Sequence, residues 1–377
     1  MSYKLKDEQK KYVIEVYERV EKKLTAECRR IGDKIPYIPT DGRYTDMAET
    51  SINWWTNGFW AGIMWQMYHA TNKTEFKEKA VNVEKRLDTA LANYEKLDHD
   101  LGFLWLPSAV ANYRLTGDEQ SRCRGLIAAS LLASRFNIEG KFIRAWNAPA
   151  SSSLIIDCLM NLPLLYWASE EEGDPRFAMI AKQHTRTAMN YLLRQDGSCN
   201  HIAEMDENTG EFLDNPKGQG FEKGSSWSRG QAWSIYGMTL AYRYTKETAY
   251  LDAAKKAAHY FISNAALTGY VSLLDFRAPK EPLYYDTTAT ACAACGLLEL
   301  SAYVSEHEKD LYVQSAYRML QGMSEGFVDF DIETDGILQK GSARYDRESD
   351  REVPIIYGDY YFVELLLRFM EKDFMIW

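Results

Sequence analysis

The sequence has no long apolar run. Its most hydrophobic stretch, Leu159 to Ala168, is interrupted by Asn161 and Pro163 and falls well short of the roughly 20 residues that cross a bilayer. Met1 to Leu24 carries a charge every few residues and lacks the apolar segment of a signal peptide. Neither a membrane span nor a secretory leader is expected. Cysteine is sparse: Cys28, Cys123, Cys158, Cys199, Cys292 and Cys295 are scattered over 377 residues and form no disulfide framework. Reduced thiols and a cytoplasmic location are expected. Positive charge is in deficit, with 44 Lys and Arg against 54 Asp and Glu, a net charge of −10. Such a field repels phosphate, so neither nucleic acid nor an anionic membrane is an expected partner.

Motifs of several chemistries are missing too. There is no Walker-type loop, no G-x-S-x-G elbow, and no H-E-x-x-H spacing among six histidines. Gly218-Gln-Gly220 lacks the rest of a dinucleotide fingerprint. Cys292-Ala-Ala-Cys295 has no second pair to complete a zinc site and reads as structural thiols. No metal site is expected. No Pro- or Ser-rich linker divides the chain, so residues 1–377 are expected to form a single domain.

Aromatic residues, in contrast, are abundant: 10 Trp, 25 Tyr and 15 Phe make 13% of the chain. Sugar rings stack their C–H faces on aromatic planes while their hydroxyls bond to nearby polar groups, so this excess points to carbohydrate.

Apolar residues recur at three- and four-residue spacing through most long segments, for example Asp252 to Ser263 and Tyr360 to Met370. Strand-like alternation is confined to short runs such as Gly269 to Asp275. Helix ends repeat weakly, each an apolar run closing on Thr or Ser: Tyr68 to Thr71, Tyr113 to Thr116, Tyr166 to Ser169, Tyr242 to Thr245 and Ala302 to Ser305. The intervals hold two helices and a loop, which gives six helical hairpins, either a ring or an open solenoid. Aromatic, turn-rich loops precede one helix of each pair, at Asn53–Trp60, Asp98–Trp105, Arg144–Asn147, Ser225–Trp233, Tyr284–Thr288 and Tyr357–Tyr361. A solenoid would spread these loops along a surface, whereas a closed all-α ring gathers them into one cup. The ring is the favoured reading.

Two acids stand out. Asp100 opens a helix after a turn, and Asp157 sits in an apolar run, Ser152 to Asn161. A buried carboxylate needs a reason, either capping and bridging of backbone amides or work as a general acid. Asp286 and Asp359 occupy comparable loop ends, and spacing alone leaves the choice among the four open. The run Ser226 to Trp233 holds Arg229, Gln231, Trp227 and Trp233. The indoles are either packing residues or sugar platforms, and an Arg among aromatic rings in an acidic protein suits a carboxylated sugar.

Taken together, Trp55-Thr-Asn-Gly-Phe-Trp60, Leu97-Asp-His-Asp-Leu-Gly-Phe103, Ile155-Ile-Asp-Cys-Leu-Met-Asn-Leu-Pro163, Trp227-Ser-Arg-Gly-Gln-Ala-Trp233 and Tyr357-Gly-Asp-Tyr-Tyr361 resemble the unsaturated glucuronyl hydrolases of glycoside hydrolase family 88. The resemblance runs from about Asn53 to Tyr361. It implies an (α/α)6 barrel, no metal or organic cofactor, and a small oligosaccharide ending in a 4,5-unsaturated uronic acid as substrate. It also implies Asp157 as catalytic acid and base, Asp100 as an anionic second carboxylate, and Trp55, Trp146, His201, Gln219, Trp227, Arg229 and Trp233 around the sugar. Two departures are visible. Family members often carry two histidines where this chain has only His99 between Asp98 and Asp100. The Ser-x-x-Ser-x-Lys element of members that prefer sulfated substrates is absent from Arg344 to Pro354. The competing readings are an unsaturated rhamnogalacturonyl hydrolase on the same barrel, a sugar 2-epimerase using histidine pairs, and a non-enzymatic helical-repeat binding module.

Overall fold

The computed structural model describes residues 3–147 and 152–377. After α1 (Asp7–Ile31) and the single turn α2 (Met47–Thr50) come α3 (Phe59–Thr71) and α4 (Thr74–Ala92). The next run is α5 (Leu101–Trp105) and α6 (Ala111–Thr116), then α7 (Glu119–Ser134), α8 (Pro163–Glu172) and α9 (Arg176–Leu192). The order ends with α10 (Ser228–Thr245), α11 (Thr248–Ala265), α12 (Thr287–Leu300), α13 (Glu306–Gly326) and α14 (Ile356–Phe369). α3 packs on α6, α5 on α8, α8 on α10, α10 on α12, α12 on α14, and α14 returns to α3. The inner ring is closed, and α1, α4, α7, α9, α11 and α13 pack outside it. This is the (α/α)6 barrel. None of the described helices is long and apolar enough to cross a membrane.

Residue patterning explains which helices go inside. Every residue of α12 and of α14 is buried, as suits helices that are apolar all round. Outer helices bury a single stripe; in α1 this includes Val13, Val16, Val20 and Leu24. Pro107 has no N–H to donate, and the second inner helix passes through a wider π turn at Leu106–Val110 between α5 and α6.

Three of the five repeated helix ends share one cap. Asn72, Gly117 and Lys246 take left-handed φ angles of 58°, 75° and 60°, and their N–H groups return to the carbonyls of Tyr68, Tyr113 and Tyr242. The preceding Thr71, Thr116 and Thr245 hydroxyls bond to carbonyls four residues back. Ser169 and Ser305 do otherwise: α8 runs on to Glu172, and Ser305 stands at the start of α13.

Strand content also differs from expectation. Gly269 to Asp275 makes only isolated bridges, Trp227 to Asp275 and Leu273 to Tyr285. The three-stranded sheet lies elsewhere, formed by β1 (Ser153–Ile155), β2 (Ile202–Met205) and β3 (Phe212–Asp214). It is too short for alternation to show in the sequence, yet it sets one wall of the cup.

The other end of the barrel is sealed. The Trp377 indole donates to Glu364 at 3.0 Å and stacks on Tyr361. Arg368 reaches Glu299 at 2.9 Å, and Tyr236 reaches Glu364 at 2.6 Å. The inner helices therefore enclose a space that opens at one end only, beside their N-termini.

Candidate active site

At that open end lies a cavity of about 610 Å³. Asp157 reaches it from the turn Ile156–Met160, which directly follows β1. Pairing of Ile155 with Ile202, continued by the Ile156 N–H to the His201 carbonyl at 3.0 Å, brings His201 alongside. The two side chains meet at 3.1 Å, His201 Nε2 to Asp157 Oδ1. His201 Nδ1 accepts the backbone N–H of Gln219 at 3.1 Å. An imidazole nitrogen that accepts carries no proton, so the hydrogen sits on Nε2 and is donated to Asp157. Asp157 Oδ2 is buried and has no hydrogen-bond partner among the described residues.

Gly218 makes this approach possible. It has φ +66°, and a Cβ there would lie 2.2 Å from His201 Nδ1. The Gly218-Gln-Gly220 fragment is thus a point of close backbone contact with an imidazole.

Asp100 stands at the start of α5, 14% exposed at its side chain. Its loop is pinned from below: Arg135 donates to the carbonyls of Leu97 and Ala145, and Ala145 in turn accepts the His99 N–H. Burial first, then the carboxylates of Asp98 and Asp157, push the Asp100 carboxyl well above its ordinary value, while the Asn161 amide opposes the rise. Expectation made Asp100 the standing anion of the pair. Burial and the neighbouring carboxylates work against that charge, and the Asn161 amide works for it.

His99 lies 3.6 Å from Asp100 Oδ2 and packs edge-on against Trp146. Burial pulls the His99 imidazole below its ordinary value, and neither ring nitrogen has a hydrogen-bond partner among the described residues. Asp98, His99 and Asp100 bring ligating atoms within 4.8 Å of one another, the grouping among the described residues that could hold a cation. Asp98 Oδ1 is already engaged by the Asp100 N–H at 3.0 Å.

Arg229 is 3% exposed. Its guanidinium lies 4.5 Å from the Trp227 ring, 4.9 Å from Tyr357 and 5.6 Å from Trp55. It donates to the Tyr357 hydroxyl and to the Ala343 carbonyl. Burial holds it below the usual guanidinium value, with Asp286 and Asp157 acting the other way. Arg229 makes no salt bridge among the described residues, so a carboxylated ligand would supply the missing anion.

Of the nine residues singled out from sequence, eight line the cavity: Asp157, Asp100, Trp55, Trp146, His201, Gln219, Arg229 and Trp233. Trp227 does not. It lies behind the wall, 3% exposed, with the His201 ring at 4.5 Å and the Arg229 guanidinium against its face. The rival acids are structural. Asp286 accepts from Thr288, Ala289 and Ser342 N–H groups, and Asp359 accepts from Ile337, Leu338 and the Tyr44 hydroxyl. Phe103, His99 and Arg344 also line the cavity. Phe103 and His99 lie inside the acidic motif, but nothing in the sequence marks Arg344.

Residues 28–336 match the family model described as Glycosyl Hydrolase Family 88. The chain is 35% identical over 349 residues to the unsaturated glucuronyl hydrolase of Bacillus sp. (strain GL1), covering 90% of this chain and 92% of that protein. The crystal structure of that organism's enzyme, responsible for the degradation of glycosaminoglycan, superposes with a TM-score of 0.89 at 33% identity, covering 94% and 96% of the two chains. An unsaturated glucuronyl hydrolase mutant from Streptococcus agalactiae, complexed with dGlcA-GalNAc6S, superposes with a TM-score of 0.84 at 30% identity over 98% of this chain and 94% of that one. The chain belongs to glycoside hydrolase family 88.

Proposed function

We propose that the chain is an unsaturated glucuronyl hydrolase: it releases 4-deoxy-4,5-unsaturated glucuronic acid from the non-reducing end of small oligosaccharides left by polysaccharide lyases. The observation that carries this reading is the carboxyl pair at the foot of a one-ended cavity. Asp157 is held at one oxygen by a tautomer-fixed His201 and free at the other. Asp100 stands near it with a raised proton affinity. A cavity closed at its base admits a chain end and leaves the aglycone toward the mouth.

The substrate C4=C5 bond is an enol ether. Asp157 delivers its proton to C4, and the ring oxygen stabilises the cation that develops at C5. Asp157, now a base, takes a proton from the water that attacks C5. The resulting hemiketal opens by breaking the C5 bond to the ring oxygen, which leaves a hemiacetal at C1. That hemiacetal expels the aglycone as an alcohol, with one water consumed overall. Asp100 shares the site's proton and supplies negative charge as the cation forms. Arg229 pairs with the uronate carboxylate, and Trp55, Trp146 and Trp233 bound the rings. This differs from glycosidases in which two carboxylates flank the anomeric bond. Acid-catalysed hydration asks for a proton donor and water, and for no metal or organic cofactor.

All six cysteines are free thiols, in keeping with one catalytic domain working in the cytoplasm. The test is a panel of unsaturated disaccharides derived from hyaluronan, chondroitin, heparin and gellan, with a pectin-derived unsaturated disaccharide as the rival. Loss of the conjugated double-bond absorbance on at least one glucuronyl substrate is expected. Turnover of the pectin product alone would transfer the chain to the rhamnogalacturonyl reaction.

A further inference from the structure

Asn161 is fully buried and belongs to neither the cavity lining nor the set of residues singled out from sequence. It ends the turn that carries Asp157, where its own N–H bonds to the Cys158 carbonyl at 2.9 Å. Its side chain spans the gap to the other acid. Nδ2 donates to Asp100 Oδ1 at 3.1 Å and also lies 3.4 Å from the Asp157 carbonyl. Oδ1 accepts the N–H of Phe103 at 2.8 Å, in the first turn of α5. One amide thus holds both the carboxylate of Asp100 and the helix that starts beside it.

The packing is tight enough to make that position specific. A Cβ on Gly102 would come within 2.5 Å of Asn161 Cα and 2.7 Å of its Oδ1. The α5 backbone therefore rests directly on this residue, and only glycine allows the approach. A side chain one methylene longer or shorter than Asn161 would not span both contacts.

We propose that Asn161 is a positioning residue of the reaction: its amide fixes the Asp100 carboxyl by Oδ1 and ties it rigidly to the turn that presents Asp157. With Oδ1 engaged, Oδ2 is the oxygen on the His99 side, 3.6 Å from Nε2. The amide also favours the anionic form of Asp100 against burial and its acidic neighbours. The charged and titratable groups around Asp100 are Asp98, His99, Asp157, Arg135, Cys158 and Arg229. Among the described residues, Asn161 is the one uncharged side chain that donates to it.

The proposal rests on the assignment of Asp157 and Asp100 as the reacting acids, so both are measured together. Asn161→Asp changes one atom: it keeps the acceptor for Phe103 N–H and replaces the donor to Asp100 by an oxygen. Asn161→Ser removes the amide without adding charge and is run beside it, so that a folding failure of one leaves the other to decide. Thermal melts establish that the proteins are folded at the assay temperature. On an unsaturated disaccharide, kcat is expected to fall by about tenfold or more, the loss of a hydrogen bond to a charged group. KM stays within about threefold, because the lost contact is not to the substrate. The ascending limb of the rate profile moves to higher pH in both variants, because Asp100 has lost the donor that favoured its anion.

A wild-type kcat and an unshifted profile in the folded variants would overturn the proposal. So would a loss that only tracks the unfolded fraction. Absence of wild-type turnover, or full activity in Asp157→Asn, would instead bring down the underlying assignment and this proposal with it.

Discussion

His201 donates its Nε2 hydrogen to Asp157 Oδ1 across 3.1 Å, and its tautomer is set by the Gln219 N–H on the opposite ring nitrogen. That contact orients the Asp157 carboxyl through Oδ1. Replacing His201 with Phe keeps an aromatic ring against Trp227 but removes the donor. A hydrogen bond to a charged group is worth about 1.5–3 kcal/mol, so kcat should fall roughly 10- to 150-fold. Steady-state kinetics on an unsaturated disaccharide checks this, and an unchanged kcat would detach His201 from the acid.

Arg229→Lys keeps the charge but loses the planar stack between Trp227, Tyr357 and Trp55. An ammonium cannot reproduce that stack or bond two ways to a carboxylate. KM is expected to rise by about tenfold or more, and a neutral analogue of the uronide should be far less affected. Trp227→Leu leaves the cavity lining intact and loosens the same guanidinium, so KM should move in the same direction by about two- to fivefold.

The pattern of success in the sequence follows from range. Ring closure and the cup were legible because the inner helices share an aromatic loop followed by an apolar helix, and three of them end on a Thr-terminated cap. Trp227 and Trp233 could not be told apart, since two indoles six residues apart on one turn and helix look alike until His201 and Arg229 are seen to cover the first. Asn161 lies within the Asp157 motif, and nothing in its own sequence position marks it. Its meaning depends on Asp100 and Gly102, about 60 residues earlier in the chain. The state of Asp100 was likewise hidden, because burial, which dominates its shift, is a property of the packed cluster.

His184 offers a stability test away from the site. It is fully buried, accepts the Ile143 N–H at 2.9 Å, and burial pulls its imidazole down to about 3. An unfolded histidine titrates near about 6.5. A depressed value means the folded state excludes the proton, so this contribution is full above about pH 6.5 and is lost progressively as pH falls toward 3. His184→Asn keeps an acceptor near Nδ1 and removes the titration. Its stability curve from denaturant melts should be flatter than that of the wild type across that window, and a parallel curve would contradict the account.

Trp377 closes the far end of the barrel, fully buried and stacked on Tyr361. Trp377→Ala should cost about 3–5 kcal/mol, the usual penalty for emptying a buried indole site. Chemical denaturation reads it directly, and a cost below about 1 kcal/mol would mean that this end is not part of the cooperative core.

The central claim is that Asp157 protonates the uronide double bond and that aglycone release follows hydration. It is tested most directly by following the conjugated double-bond absorbance and aglycone release together on one unsaturated disaccharide, with wild type and Asp157→Asn. The account predicts that in the wild type the absorbance is lost without lagging behind the aglycone, and that Asp157→Asn, correctly folded, changes neither signal. Aglycone release that runs ahead of absorbance loss, or normal turnover by Asp157→Asn, would contradict it.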